Sequence, residues 1–297
     1  TGRLYSRPVK PVLLENGDLQ GYPGRFYFMI IEGYNRGALP MRQKTGLSFN
    51  VEYGIFYTTS HEMRAALKCG LFSPVKIHAC HVCHETINFA AFVDKFMTEK
   101  IRCEEAGDIV GRTFAKLIQN NAYGKLAQNS REFCDYMIID QDTDLPDGAR
   151  INSIVMDKML IEWDAPTGRF FDVATAASIT SGARAYLLES LYVAKNPVYC
   201  DTDSIICEDL PLDLHATRLG AWKTEASGDL LGIGGKKLYA LYDGDTLVKK
   251  ASKGVRLSGE EIISVASGTE VVYANPVPTF SPKNFGKFIT RTVARRI

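Results

Sequence analysis

Two aspartates separated by one residue lie between two short apolar segments. Asp201 and Asp203 fall within residues 199–204, with Pro-Val before this stretch and Ile-Ile-Cys after it. Apolar residues on both sides of a short polar stretch predict a hairpin whose turn carries both carboxylates. Carboxylates this close repel each other unless a cation neutralises them, and a hard ion such as Mg²⁺ prefers their oxygens. A metal-free Asp-rich turn is the alternative for this segment alone.

A second group of polar residues follows one face of a predicted helix over residues 108–128. At about 100° per residue, one face carries polar side chains and the opposite face carries apolar ones. The polar face holds Arg112, Lys116, Asn120 and Tyr123, and the apolar face holds Val110, Phe114, Leu117 and Ile118. We expect the apolar face to pack. The polar face could meet a triphosphate with its cations and a base or sugar with its phenol, although a solvated helix face is the alternative.

The elements that position these groups are predicted from periodicity and turn residues. Residues 25–32 and 48–58 have strand composition, and residues 33–40 break the first of them. Helices are predicted over residues 61–68, 85–101 and 176–192, with a turn at 103–107, and strand-like pieces lie between 136 and 172. Residues 197–207 predict a hairpin. Two further strands are predicted within 236–250 around the Asp243-Gly244-Asp245 turn.

Composition is typical of a globular intracellular protein. The 297 residues are 45% hydrophobic, enough for a substantial core, and no apolar run approaches the length of about 20 residues that a membrane span needs. Seven scattered cysteines favour reduced thiols, so we expect a cytoplasmic protein. The net charge is +1, but residues 236–297 hold eleven Lys or Arg and five Asp or Glu. This basic segment is a candidate for facing phosphates, with a solvated surface as the alternative.

Five segments, in order along the chain, resemble motifs of B-family DNA polymerases. Residues 116–124 resemble the Lys-x-x-x-Asn-Ser-x-Tyr-Gly motif, with Asn121 in place of Ser, and residues 199–204 match Tyr-x-Asp-Thr-Asp-Ser. Residues 180–184 resemble Thr-x-x-Ala-Arg, residues 237–239 resemble Lys-x-Tyr, and Lys253-Gly254 resembles a backbone-binding element. Residues 284–288 are similar to a thumb segment. The resemblance favours the protein-primed, organellar and viral branch.

The resemblance implies a role for each matching residue in adding dNTPs to a primer 3′-hydroxyl. Asp203 would be the main metal ligand and Asp201 the auxiliary one, holding two Mg²⁺ ions that Mn²⁺ could replace. The incoming nucleotide would be bound by Lys116, Arg112, Asn120, Tyr123 and Lys100. Primer-template DNA would be held by Tyr199, Thr202, Ser204, Thr180, Arg184, Lys237, Tyr239 and Lys253.

The resemblance also implies an α+β fold, with a palm formed by an antiparallel sheet backed by helices, a helical-hairpin fingers and a small thumb. Residues 1–35 would begin the palm, and residues 36–84 would form an inserted subdomain like a terminal-protein region. Residues 85–129 would form the fingers, 130–268 the palm with the metal motif, and 269–297 part of the thumb.

Two features of the family are missing from this sequence. The first catalytic carboxylate lies in an Asp-x-x-Ser-Leu-Tyr-Pro motif that this sequence does not contain, and no proofreading exonuclease precedes it. We therefore expect a fragment or one subunit of a split enzyme, with another polypeptide or segment supplying that Asp. The chain alone should bind primed template but extend it poorly. The primer is either a terminal protein or a nucleic acid.

Two rival functions and one rival site stay open. A noncatalytic DNA-binding subunit could keep the polymerase scaffold, although paired acids near phosphates argue against it. A reverse transcriptase or RNA polymerase fits residues 116–124 less well. His78, Cys80, His81, Cys83 and His84 allow a zinc site, but alternation through this run favours a strand.

Overall fold

The chain forms two compact units, residues 1–208 and residues 209–297, in a computed structural model. The structure describes residues 6–9, 12–13, 26–44, 46–83, 88–127, 134–164, 171–215, 218–281 and 287–296. Residues 284–286 of the predicted thumb motif lie outside the described residues, and so does His84 of the possible zinc site. Among the described residues, no helix is long and apolar enough to cross a membrane.

A five-stranded antiparallel sheet forms the centre of the first unit. Strands β1 (Ser6–Val9), β7 (Phe72–Cys83), β3 (Phe26–Asn35) and β6 (Tyr53–Thr59) lie side by side in that order, and β2 (Val12–Leu13) pairs with β7. One face of the sheet is buried because alternate residues of β3 and β6 point inward, with Ile31 and Phe56 completely enclosed. A separate small hairpin joins β4 (Met41–Gln43) to β5 (Gly46–Ser48).

Two helices cover the buried face of this sheet region. Helix α1 (Ser60–Lys68) follows β6 directly, packs on the sheet and lies against α4 (Val173–Val193). Its first turn has a capping box, in which Thr59 and Glu62 satisfy each other's backbone N–H groups. Met63 of α1 is completely buried in the same core as Ile31.

A helical hairpin joins α2 (Ala90–Glu105) to α3 (Ile109–Leu126). The turn is tight because Gly107 adopts a φ of +70° and Asp108 accepts the Gly111 N–H at 2.9 Å, which caps α3. Both helices were predicted, but Cys103 ends up buried inside α2 rather than in the turn.

Two smaller β elements complete the first unit. Strands β8 (Cys134–Asp140), β10 (Lys158–Asp164) and β9 (Arg150–Val155) form a three-stranded antiparallel sheet in that order. Strands β11 (Tyr199–Asp201) and β12 (Ser204–Ile206) form the predicted hairpin.

The second unit contains the predicted strand pair and one more strand beside it. Strands β13 (Leu230–Gly235), β14 (Leu238–Asp243) and β15 (Thr246–Ser252) form an antiparallel sheet on which α5 (Gly259–Ala266) packs. Ala240 and Ile262 are completely buried at that contact. Strands β16 (Val272–Ser281) and β17 (Lys287–Arg296) form a long hairpin. The predicted α+β class, with antiparallel sheets and helices, is confirmed.

Candidate functional site

The β11–β12 hairpin presents both aspartates at its tip. Asp201 pairs with Ser204 across the hairpin, and the N–H of Asp203 donates to the Asp201 carbonyl, so the turn contains only two residues. Thr202 adopts the left-handed region with a φ of +41°, which a β-branched residue rarely does. The strain is offset locally, because the hydroxyls of Thr202 and Ser204 donate to the Asp201 carboxylate and carbonyl, each at 3.1 Å.

The two carboxylates differ in their surroundings. Asp201 is half-buried and accepts the Thr202 hydroxyl, whereas Asp203 is exposed and makes no ion pair or side-chain hydrogen bond with any described residue. An exposed carboxylate without a partner beside a second carboxylate suits a hard cation. Mg²⁺ is commonly held by one or two carboxylates, with waters and substrate phosphates completing its shell. The donor set therefore fits Mg²⁺, although the described residues contain no group of three His, Cys, Asp or Glu that could hold a metal without such additional ligands.

The predicted polar face of α3 is exposed to solvent. Arg112, Lys116, Asn120 and Tyr123 are all exposed along the helix. Arg112 is 3.6 Å from Glu104 of α2, a loose pair on the surface, while Lys116 has no ion pair or hydrogen bond in the described part of the chain. Lys100, on α2, is half-buried. The face thus offers cationic and amide donors that the protein itself largely leaves unused.

The opposite face of α3 does not pack as the sequence predicts, and that expectation is wrong. Val110 and Phe114 are 67% and 64% exposed, and Leu117 and Ile118 are also exposed. The helix contacts α2 through a stripe of small and polar residues instead: Ala115 is buried, Gly111 lies against Cys103, and Gln119 donates to the Val93 carbonyl at 3.1 Å. Periodicity identifies an apolar face but does not show that another element covers it.

Arg184, on α4, reaches across to α1. Its Nε is 2.7 Å from Oε1 of Glu62, and the Arg184 side chain is 50% exposed. Thr180, one turn earlier, donates its hydroxyl to the Ala176 carbonyl at 3.1 Å, which leaves its oxygen free to accept. The sequence did not identify Glu62 as a functional residue. The Thr59–Glu62 capping pattern gives a signal for the helix start but none for the contact with Arg184.

The three predicted DNA-binding residues of the second unit lie on neighbouring strand ends. Lys237 occupies the β13–β14 turn with a φ of +58°, and its carbonyl accepts the Lys253 N–H at 3.0 Å. Lys253 is exposed at the turn after β15, next to Gly254, whose φ is +84°. Tyr239, on β14, pairs with Ala251. The structure therefore brings the backbones of Lys237 and Lys253 together where the strands of this sheet end.

The zinc alternative lacks a cluster of ligands in the described part of the chain. Cys80 and Cys83 lie in β7 opposite Met29 and Phe26 of β3, and both are buried. Burial raises the pKa of the Cys80 thiol to about 11, so this group stays protonated near neutral pH. No cluster of three metal-binding side chains forms around them among the described residues. The strand interpretation of this run is confirmed.

Comparison with known proteins places the chain in a family. Residues 15–208 match the family described as DNA polymerase type B, organellar and viral. The DNA-directed DNA polymerase of Enterobacteria phage PRD1 is 41% identical over 300 residues, which cover 90% of this chain and 54% of that protein. The chain thus spans about half the length of this relative.

Solved structures of phi29 DNA polymerase show a similar fold. The ternary complex with primer-template DNA and incoming nucleotide has a TM-score of 0.62 and 18% identity, covering 98% of this chain and 55% of that one. An orthorhombic crystal form gives a TM-score of 0.63 at 17% identity, with the same coverage. Because the family match extends over most of the chain, including α3 and the aspartate hairpin, this protein belongs to the organellar and viral type B DNA polymerases.

Proposed function

We propose that this chain is the polymerising part of a template-directed DNA polymerase, which joins the primer 3′-hydroxyl to the α-phosphate of a dNTP. The observation that carries the proposal is the β11–β12 tip, where the exposed Asp203 carboxylate has no described protein partner and Asp201 lies beside it. A binding protein gains nothing from two acids next to phosphates. A polymerase needs them to hold cations.

The aspartates would act as ligands. Asp203 would be the main ligand and Asp201 the auxiliary one, whose orientation is fixed by the Thr202 hydroxyl. Two Mg²⁺ ions, when bound, supply charge that activates the primer hydroxyl and stabilises the pyrophosphate leaving group. The remaining carboxylate would come from protein outside these residues, because the sequence lacks the Asp-x-x-Ser-Leu-Tyr-Pro motif. The half-length match to the PRD1 relative supports this part of the proposal.

The nucleotide would bind along α3. Lys116 has no described partner, so binding a phosphate breaks no ion pair of the protein, and the loose Arg112–Glu104 pair could open at little cost. Lys100 would assist from α2. Asn120 and Tyr123 would meet the sugar and base of the nascent pair, with the phenol offering a stacking surface.

Primer-template DNA would be held by α4, by the aspartate hairpin and by the second unit. Arg184 and Thr180 would contact the duplex from α4, and Tyr199, Thr202 and Ser204 would do so from the hairpin. Lys237, Tyr239 and Lys253 would hold the primer end from the second unit, whose sequence carries the chain's basic segment. We also propose the domain division expected from the sequence: palm at 1–35 and 130–268, inserted subdomain at 36–84, fingers at 85–129 and part of the thumb at 269–297. The setting that we propose is the host cytoplasm for a viral replicon, or the mitochondrion for an organellar plasmid, with a terminal protein or a nucleic acid as primer.

Binding to a primed duplex with a dideoxy-terminated primer tests the proposal without requiring catalysis. The chain should bind this duplex, and the dNTP complementary to the template base should tighten the complex. Lys116→Ala should remove most of that dNTP effect, about tenfold or more, because one charge-assisted contact to phosphate is lost. Lys125→Ala is the matched control, since Lys125 is an exposed lysine without a described partner on the opposite face of α3.

Three outcomes would count against the proposal. A chain that does not bind primed duplex is not the polymerising part of such an enzyme. Equal effects of the Lys116 and Lys125 changes would remove the nucleotide site from α3. Robust dNTP incorporation by the purified chain, with an extendable primer, would show that no carboxylate from outside these residues is needed.

A further inference from the structure

We propose that Glu62 is a positioning residue that holds Arg184 in the orientation needed to grip the DNA backbone. The inference rests on the proposed function, which places Arg184 against primer-template DNA, and adds how the protein prepares that contact. Glu62 lies on α1, outside the five sequence segments that resemble polymerase motifs.

Both carboxylate oxygens of Glu62 accept hydrogen bonds. Oε1 accepts from Arg184 Nε at 2.7 Å, while Oε2 accepts from the Thr59 hydroxyl at 2.9 Å and from the Thr59 backbone N–H at 3.3 Å. The Glu62 side chain is only 10% exposed, whereas that of Arg184 is 50% exposed. A nearly buried anion therefore fixes the inner edge of a half-exposed guanidinium.

The outer part of that guanidinium stays available. Nε is its only atom that donates a hydrogen bond to a described residue, so the N–H groups on both Nη atoms make no such hydrogen bond. Arginine presents planar, paired donors that match phosphate oxygens. A guanidinium held at Nε loses less rotational freedom on binding a phosphate than one that is free to move.

The helices that carry the pair are fixed to each other by a second contact. His61 Nε2 is 3.1 Å from the Ser178 hydroxyl, and Gly182 lies beside the His61 ring. This contact flanks Glu62 on α1 and holds α1 against the part of α4 that precedes Arg184. The position of Glu62 relative to Arg184 therefore does not depend on their own ion pair alone.

The same two helices provide a matched control pair. Lys68 of α1 and Glu189 of α4 also form an ion pair, with side chains that are 69% and 35% exposed. An exposed pair of this kind contributes little to stability. Glu189→Gln changes the charge by the same amount as Glu62→Gln and removes an ion pair between the same helices, but it leaves Arg184 untouched.

Glutamine cannot replace glutamate at position 62 without losing one contact. Its amide has a single acceptor oxygen, so its NH₂ group must face either the Thr59 donors or Arg184 Nε. The substitution also removes a negative charge. Charge alone would strengthen DNA binding, so weaker binding by Glu62→Gln cannot come from the charge change, and the double variant shows whether it passes through Arg184.

The test measures primed-duplex affinity by fluorescence anisotropy for the wild-type chain, Glu62→Gln, Arg184→Ala, the double variant and Glu189→Gln. We expect Glu62→Gln to weaken binding about 2- to 10-fold, the effect of ordering one long side chain. The double variant should bind no more weakly than Arg184→Ala. Glu189→Gln should bind like the wild type or slightly more tightly.

Unchanged or tighter binding by Glu62→Gln would overturn the inference. So would a Glu62→Gln loss that persists undiminished in the Arg184→Ala background, because the effect would then not pass through Arg184. A wild-type chain that fails to bind primed duplex would instead refute the proposed function. Nitrogen-15 NMR of the wild-type Arg184 Nε–H covers the case in which Glu62→Gln does not fold: slow exchange with water supports the inference, and fast exchange contradicts it.

Discussion

Two glycines of α3 should respond to alanine in opposite ways. At Gly124, a Cβ would meet no atom within 4 Å, and the residue does not need a positive φ. Glycine lowers helix stability by about 0.5–1 kcal/mol relative to alanine in such a position. Because Gly124 lies near the C-terminal end of α3, we use the lower limit and expect Gly124→Ala to stabilise the chain by about 0.5 kcal/mol.

Gly111 in the same helix is the control with the opposite sign. A Cβ there would be 2.4 Å from Oδ2 of Asp108 and 2.7 Å from the Cys103 sulfur. Alanine would therefore displace the carboxylate that caps α3 and press on a buried thiol. The loss of the cap costs about 1 kcal/mol, and crowding adds to it, so Gly111→Ala should destabilise the chain by about 1 kcal/mol or more.

Urea denaturation and thermal melting measure both effects. For a unit of this size, 0.5 kcal/mol corresponds to a rise in Tm of about 1–2 °C. Gly124 also lies beside Tyr123 on the proposed nucleotide face. A methyl group there should crowd the bound base pair and weaken dNTP binding by about 1 kcal/mol or more. If Gly124→Ala destabilises the free chain as Gly111→Ala does, the space around Gly124 is filled and the orientation of α3 is wrong.

Three further predictions concern pH, thiols and zinc. Burial and, to a smaller extent, the charge of Arg64 lower the pKa of His61, while the charge of Glu62 opposes the shift. The unfolded chain therefore binds the proton more readily than the folded chain. The stability of the chain should fall as the pH drops below about 6.5. His61→Gln should lose less stability than the wild type between pH 7 and 5, and equal losses would contradict this. Because burial raises the pKa of Cys80 to about 11, a thiol reagent at pH 8 should modify the exposed Cys200 first and leave Cys80 intact until unfolding. Zinc should not raise the Tm, and a zinc-dependent rise would revive the metal alternative.

Local signals in the sequence located most of the elements. The Asp-rich stretch between apolar residues formed a hairpin, and the Asp243-Gly244-Asp245 turn joins β14 to β15 as predicted. Both depend on interactions between near neighbours in the chain. The strand predicted to end near residue 32 continues instead to Asn35. That side chain bonds the loop through Ala38 N–H and the Leu39 carbonyl, each at 3.0 Å, and no hydrophobic pattern reveals such a bond.

Long-range contacts are the part that the sequence could not supply. Glu62 and Arg184 are 122 positions apart, and each has a sufficient local explanation, one as a capping residue and the other as a motif arginine. Similarly, the apolar residues of α3 have helical periodicity whether or not a neighbour covers them. The hairpin packs instead through Gly111, Ala115 and Gln119, because small residues allow α2 to approach closely.

Manganese binding shows whether the β11–β12 tip holds a divalent cation. Electron paramagnetic resonance counts free Mn²⁺ during a titration of the full chain bound to primed duplex and dNTP. Asp203→Asn should weaken binding by at least about tenfold, because even groups that only hydrogen-bond a metal ligand are worth about 10- to 100-fold.

Asp245→Asn is the matched control, since Asp243-Gly244-Asp245 is also an Asp-x-Asp turn at a hairpin tip and both of its aspartates are exposed. We expect Asp203→Asn to lose the bound ion and Asp245→Asn to keep it. Equal Mn²⁺ affinity for the wild type and Asp203→Asn would show that Asp203 is not a metal ligand and would favour a DNA-binding subunit without catalysis.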